Sequence, residues 1–463
     1  MGALSVERTT IPGLLLLRLD VHRDARGWFA EWWQREQMTA LGLPDFAPVQ
    51  ANVASNASRG TTRGMHAEPW DKLVAVTAGR GYGAWVDLRA GDGFGTTFTA
   101  ALEPGVAVFV PRGVANGYQT LADETAYSYL VNDHWRPDLD YVAVDHADPA
   151  LGLDWPLPMA ERVLSERDRT APPLAEVSPV PTRRPLVLGA HGQVGSALLA
   201  AFPEARGIDA HDLDLTDREA LAGWPWHDHD VVLNAAAYTA VDAAETDQGR
   251  RTAWAVNAAA PARLAGLGRR HGFTLVHYST DYVYDGAVAE HDEDEPVAPL
   301  GVYGQSKAAG DQAVTAAPRH YLLRTSWVVG DGANFVRTMV RLADEGACPD
   351  VVDDQVGRLS FAAEVARATR HLLATGAPYG TYHVTNAGPP TSWADVARQV
   401  FALRGRDQGD VRAVSTEEYA AGRQIAPRPA SSVLSLRRLE ATGFVPAEAA
   451  PMLRAYVAGP LRP

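Results

Sequence analysis

Leu186-Val-Leu-Gly-Ala-His-Gly-Gln-Val-Gly195 decides the fold of the larger part of this chain. A short apolar strand runs into Gly189, Gly192 and Gly195, and an Ala/Leu-rich helix follows to about residue 201. In that setting the first glycine permits a tight turn. The second lets the backbone approach a pyrophosphate, and the third packs the helix on the sheet with its N-terminus toward the anion. Asp209 stands about 20 residues on, where an acid can bind the 2′-hydroxyl of an adenosine ribose. That favours NADH, and Ala210 and His211 supply no arginine for NADPH.

Further strands are expected at 231–234, 274–278 and 321–324, alternating with helices at 253–270 and 304–317. Strand alternating with helix means a parallel, doubly wound α/β sheet. Beyond 330 the alternation weakens, and helices at 335–344 and 362–374 predict a smaller substrate lobe. Upstream, 171–185 is proline-rich without apolar periodicity and reads as a linker. Residues 1–170 show short apolar runs between glycine and proline turns, at 14–19, 73–77, 83–88, 105–110 and 126–131. They predict an all-β sandwich or barrel with one helix near 34–41.

The chain has 463 residues, 46% hydrophobic and 21% charged, so more than one core is expected in an ordinary globular composition. A net charge of −14 argues against nucleic acid or an anionic membrane as partner. The leucine run 14–17 is far short of the ~20 apolar residues of a membrane span. The start lacks a signal-peptide pattern, which predicts a cytoplasmic protein. The single cysteine, Cys348, excludes an internal disulfide and a cysteine zinc site.

Tyr303 and Lys307 stand at i, i+4 and share a helix face. A tyrosine with a pKa near ~10 moves protons poorly at neutral pH unless its phenolate is stabilised, and an ammonium one turn away can do that. Thr280, after the 274–278 strand, can hydrogen-bond a substrate oxygen. On these features, with Asn234–Glu245, Val256-Asn257, His277–Val283, Leu323–Trp327 and Pro427-Arg-Pro429, residues 186–463 resemble dTDP-4-dehydrorhamnose reductase, an extended short-chain dehydrogenase. The resemblance implies Thr280, Tyr303 and Lys307 as the catalytic set. It puts Asp281, Tyr282, Trp327 and Arg428 near substrate. Asp214, Leu215, Ala235, Ala236 and Ala237, with Gln193, Val194, Tyr303 and Lys307, would hold NADH or NADPH. Asp354–Ser360 departs from the family, which usually has Pro-Thr after the arginine.

Asp24–Gly27, Gln50–Asn52, Arg63–His66, Lys72–Val74, Val86–Arg89, Pro111–Gly113, Tyr129 and Leu164–Asp168 give residues 1–170 a resemblance to dTDP-4-dehydrorhamnose 3,5-epimerase, a cupin jelly roll. Inverting a carbon beside a ketone needs a base on one face, an acid on the other and positive charge near the enolate oxygen. The resemblance implies His66 as base, oriented by Asp168, and Tyr129 as acid. Lys72 and Arg63 would stabilise the enolate and hold diphosphate. Arg26, Phe29, Glu31, Gln50, Asn52 and Asn116 would contact substrate. Asn116 departs from the family's histidine, the stretch from His66 to Lys72 is short, and Leu130 stands where lysine is common. No metal is expected in the cupin, since His66-Ala-Glu68 offers one imidazole.

Together the two resemblances imply a bifunctional enzyme acting on a dTDP-sugar. The alternatives are a reductase of another deoxysugar nucleotide with an altered or inactive epimerase, or a non-catalytic regulatory protein. A homodimer is implied, with Arg26 and Phe29 reaching the partner's site. Mg²⁺ at a dimer contact, used by some reductase relatives, maps to no residue of this sequence.

Overall fold

The structure is a computed structural model that describes residues 4–134 and 141–459. Its contacts divide into two compact units, Met1–Arg183 and Arg184–Pro463.

The N-terminal unit is two antiparallel sheets. The first runs Ser5–Arg8, Leu15–Arg18, Val106–Val110, Lys72–Ala78, Thr125–Val131, Gln50–Asn56. The second runs Val142–Ala143, Thr62–Ala67, Val114–Thr120, Gly81–Asp87, Thr97–Leu102. The leucine run shows why the sheets face each other. Leu14 and Leu16 enter the core between them with Val74, Val108 and Trp85, while Leu15 and Leu17 point to the opposite face, under the helix Arg35–Ala40. That is the period-2 alternation of a strand buried on both sides.

The proline-rich stretch expected as a linker is docked on this unit along most of its length. Leu174, Val177 and Val180 recur every third residue and pack on the outer face of the second sheet. Val180 also exchanges backbone hydrogen bonds with Leu88 and Ala90. Its apolar residues make it part of the β unit, because buried side chains hold it there.

In the C-terminal unit a six-stranded parallel sheet has the order Arg206–Ile208, Leu186–Leu188, Val231–Asn234, Thr274–Thr280, His320–Thr325, Gly380–His383. The turn after Leu188 depends on glycine. Gly189 has φ +76°, and a Cβ there would lie 2.8 Å from the Ala236 nitrogen. At Gly195 a Cβ would meet the Gly189 carbonyl oxygen at 2.0 Å.

The helix expected at 253–270 is broken into Asp247–Trp254, a π turn Ala255–Ala259 and Ala260–His271. Pro261 lacks an N–H, so one ladder bond cannot form there. The region after 330 divides between two cores. Helix Phe335–Asp344 buries Val336, Met339, Val340 and Ala343 in a lobe with Trp393–Leu403. Helix Ala362–Thr375, expected in that lobe, instead packs Val365, Ala366 and Leu372 on the parallel sheet. Among the described residues no helix is long and apolar enough to cross a membrane.

Candidate active sites

In the β unit, strand Thr62–Ala67 sets His66 opposite Asn116, and strand Thr125–Val131 sets Tyr129 opposite Val74 of Lys72–Ala78. Asp168 comes from the helix Glu166–Arg169, which Ser165 caps. His66 Nε2 lies 2.7 Å from Asp168 Oδ1, and Ser165 Oγ donates to Asp168 Oδ2 at 2.8 Å. Burial opposes ionisation of Asp168, but the bonds from His66 and Ser165 prevail and hold its carboxyl below the usual range. A carboxylate on Nε2 leaves the other ring nitrogen with its lone pair available to take a proton.

Lys72 is buried, forms an ion pair with Glu68 and lies 5.6 Å from the Tyr129 ring centre. Burial pushes its ammonium down to about 7. Burial also raises the Tyr129 hydroxyl, against the pull of Arg63. His66, Asp168, Lys72, Tyr129, Arg63 and Asn116 line one 390 Å³ cavity. Tyr118 and Tyr127, which line it too, stack at 4.0 Å, and Tyr127 donates to Asn116 Oδ1 at 2.9 Å. Base, acid and cations around one cavity suit proton transfer at a carbon beside a carbonyl.

In the α/β unit, helix Val302–Thr315 carries Tyr303, Ser306, Lys307 and Asp311. Tyr303 hydrogen-bonds Thr280, whose hydroxyl donates to Asp281 Oδ1 at 2.8 Å. Burial pushes the Asp281 carboxyl up to about 6, with bonds from Ser432 and Thr280 opposing. Tyr282 meets the Tyr303 ring edge-on at 5.9 Å and hydrogen-bonds Arg428, which donates to Asp242 Oδ1 at 2.9 Å.

The expected support of Tyr303 by Lys307 takes another form here. Lys307 Nζ donates to the Tyr278 carbonyl at 2.5 Å, and no hydrogen bond among the described residues joins it to Tyr303. Burial and the Asp281 charge hold the Tyr303 hydroxyl well above its usual value. Burial lowers Lys307 to about 8, with Asp311 opposing.

The glycine turn opens on a 380 Å³ cavity lined by Gly189, Gly192, Asp209, Asp214, Leu215 and Ala235–Ala237. The close approaches at Gly189 and Gly195 fix the tight turn and the helix packing, and Gly192 leaves bare backbone at the cavity for a dinucleotide pyrophosphate, so these residues fit NAD(P)H.

Residues 183–459 match the family described as RmlD substrate binding domain, and residues 8–176 match dTDP-4-dehydrorhamnose 3,5-epimerase. "Protein RmlC homolog" of Streptococcus pyogenes is 44% identical over 37% of this chain and 89% of that protein. The chain is a fusion of an RmlC-like epimerase domain and a dTDP-4-dehydrorhamnose reductase domain of the RmlD family. The reductase domain is 44% identical to a probable dTDP-4,6-dihydroxy-2-methyloxan-3-one 4-ketoreductase of Streptomyces antibioticus, over 56% of this chain and 90% of that protein. It is also similar to the crystal structure of dTDP-4-dehydrorhamnose reductase from Bacillus anthracis in complex with NADP. There the TM-score is 0.55 and the identity 33%, over 59% of this chain and 98% of that one.

Several expected residues lie away from these centres. In the epimerase domain Arg26 and Phe29 sit on the exposed hairpin His22–Phe29, Arg26 paired with Asp24, and Glu31 is exposed. Gln50 and Asn52 bond each other at 2.9 Å on the edge strand. None of the five lines the His66 cavity. In the reductase domain the Gln193 side chain accepts from the Gly330 N–H at 2.8 Å, and Val194 packs into the sheet core. Trp327 stacks on Trp393 at 3.7 Å inside the lobe. Asp209 keeps its place at the cofactor cavity but bonds His191.

Other participants had no role assigned from the sequence. Ser165 is visible only as a Ser-x-x-Asp cap, and Glu68 only as the i−4 neighbour of Lys72. Asn257 is turned inward by the π turn, where its side chain accepts from the Tyr238 N–H at 2.9 Å and donates to Ser306 Oγ at 3.1 Å. Among the described residues no group of three or more His, Cys, Asp or Glu could hold a metal ion.

Proposed function

We propose that this chain converts dTDP-4-dehydro-6-deoxy-D-glucose to dTDP-L-rhamnose in two consecutive steps, epimerisation at C3 and C5 and then reduction at C4. What carries the reading is the presence on one chain of a His66–Asp168 pair beside Tyr129 and Lys72, and of Thr280, Tyr303 and Lys307 beside a glycine cradle.

In the epimerase domain His66 takes the proton from the carbon next to the C4 ketone, and Asp168 stabilises the imidazolium that forms. Lys72 and Arg63 stabilise the enolate oxygen, and Tyr129 returns a proton on the opposite face. In the reductase domain NAD(P)H, held at Gly189, Gly192 and Asp209, would supply a hydride for C4. Thr280 orients the carbonyl oxygen, Tyr303 protonates it, and Lys307 holds positive charge beside the site as that proton leaves. Fusion keeps a labile keto intermediate near its second site.

The assembly is a cytoplasmic homodimer. Val53 (70% exposed) and Phe29 (64%) leave apolar surface on the edge strand and the hairpin that carry Gln50, Asn52 and Arg26. These side chains then serve the partner's epimerase cavity.

The deciding experiment incubates the protein with the keto-sugar in D₂O without nicotinamide and follows C3 and C5 by NMR. Deuterium at both positions is expected, followed by NAD(P)H oxidation once cofactor is added. Absence of oxidation defeats the proposal. The 44% identity to the Streptomyces antibioticus ketoreductase favours one second reading, a different deoxysugar, and exchange at one carbon only would select it.

A further inference from the structure

We infer that His277, held by Asn234, positions the Lys307 ammonium of the reductase site: a neutral imidazole accepts one of its N–H bonds and fixes where the others point. The inference rests on the reductase reading above.

Asn234 and His277 are register partners on adjacent parallel strands, 1% and 0% exposed, so their side chains emerge side by side. The Asn234 amide lies 3.0 Å from His277 Nδ1, and His277 Nε2 lies 3.4 Å from Lys307 Nζ. An ammonium has three donors and no acceptor, so the nitrogen facing it must carry a lone pair. The proton of a neutral ring is then on Nδ1, and the group facing it must be the Asn234 carbonyl. With the amide nitrogen there instead, Oδ1 is a buried acceptor without a partner, and an Nε2–H points at a cation. The two amide ends are interchangeable in outline. Turning them gives a chain in which Nδ1–H donates to Asn234 Oδ1 and Lys307 donates to Nε2.

Lys307 thus spends one donor on the Tyr278 carbonyl and one on His277. The third has no partner among the described residues and is left for what binds beside Tyr303. On its own helix Asp311 acts on the lysine's charge and Tyr303 stands one turn away; Arg324 of strand His320–Thr325 acts on Asp311, and Asp281, after strand Thr274–Thr280, acts on Tyr303. Asp311 pairs with Arg324 at 3.0 Å. Burial, then the Lys307 charge, holds His277 well below its usual range, so it remains a neutral acceptor. His277 touches no reacting atom and is a positioning residue.

Two measurements on the full chain test this. In ¹⁵N NMR of the histidine rings, the signal lost in His277→Gln is expected to report a neutral ring protonated on Nδ1 from about pH 6 to 9. A ring protonated on Nε2, or an imidazolium, overturns the inference, whatever the enzyme's activity. The second is the pH profile of NAD(P)H oxidation. His277→Leu removes the acceptor that favours the charged lysine, so its alkaline limb should move down by about one pH unit, with kcat roughly tenfold lower and cofactor KM little changed. His277→Gln keeps an acceptor and should recover most of both. A limb for folded His277→Leu that coincides with the unmodified chain's overturns the inference. Failure of the unmodified chain to oxidise NAD(P)H defeats the reductase reading instead, and the ring signal still decides the hydrogen-bond chain.

Discussion

Each domain holds a buried lysine near a tyrosine proposed as its proton donor, and the two lysines are kept in different ways. Lys72 stands on a strand, paired with the Glu68 carboxylate, and faces an open cavity. Lys307 stands on a helix, with a backbone carbonyl and a ring nitrogen as its nearest partners and its closest opposite charge, Asp311, one turn away and shared with Arg324. A carboxylate partner lets the first cation be neutralised or turned toward an enolate. The second is held by neutral dipoles, which keep it in one place at the cost of a weaker hold on its charge. Burial lowers both, to about 7 and about 8. In the proposed reactions similar residues would thus serve two tasks, one cation responding to a charge that appears and disappears, the other keeping a fixed geometry.

The largest test of this contrast is Tyr303→Phe. It should cut C4 reduction by about 10³-fold, within the range for a general acid, while deuterium exchange at C3 and C5 continues. Parallel loss of exchange would show that the domains do not act separately. His66→Ala should lower exchange by at least ~10²-fold and leave reduction of an already epimerised substrate unchanged, measured as NAD(P)H oxidation. A milder test is pH. Both lysines act as ammonium ions, which are present below their pKa and lost as pH rises through it. Exchange should therefore fall through about pH 7 and reduction through about pH 8, each followed separately. Coincident limbs would remove the distinction between the two settings. The smallest effect is expected for Ser165→Ala. It removes one of the bonds holding Asp168 charged, so exchange should drop by about tenfold or less, with the acid limb moving up because the Asp168 carboxyl rises.

The reductase site was more legible than the epimerase site for a geometric reason. Tyr303 and Lys307 are one helical turn apart, and Gly189, Gly192 and Gly195 lie within seven residues spanning the strand's end and the helix start, so spacing alone assembles them. His66, Tyr129 and Asp168 are separated by tens of residues, on strands of two different sheets and on a short helix, and meet only around the cavity of the packed unit, which short-range pattern does not encode. The resemblance implied Gln50, Asn52, Arg26 and Phe29 as substrate contacts, yet none of them lines this chain's own His66 cavity. The docking of Leu174–Val180 was hidden because prolines mask a three-residue apolar period. The break near Pro261 was masked by a continuous helical pattern on both sides.

By itself the sequence determined that a β unit precedes a dinucleotide-binding α/β unit, and which residue types each would use. Local pattern suffices there, because strand alternation, a glycine turn and i, i+4 spacing act over a few residues. Only the tertiary structure decided that Glu68 pairs with Lys72, and that Lys307 turns to Tyr278 and His277 rather than to Tyr303. Those outcomes depend on which donors and acceptors are buried together, and burial is a property of the whole packed chain.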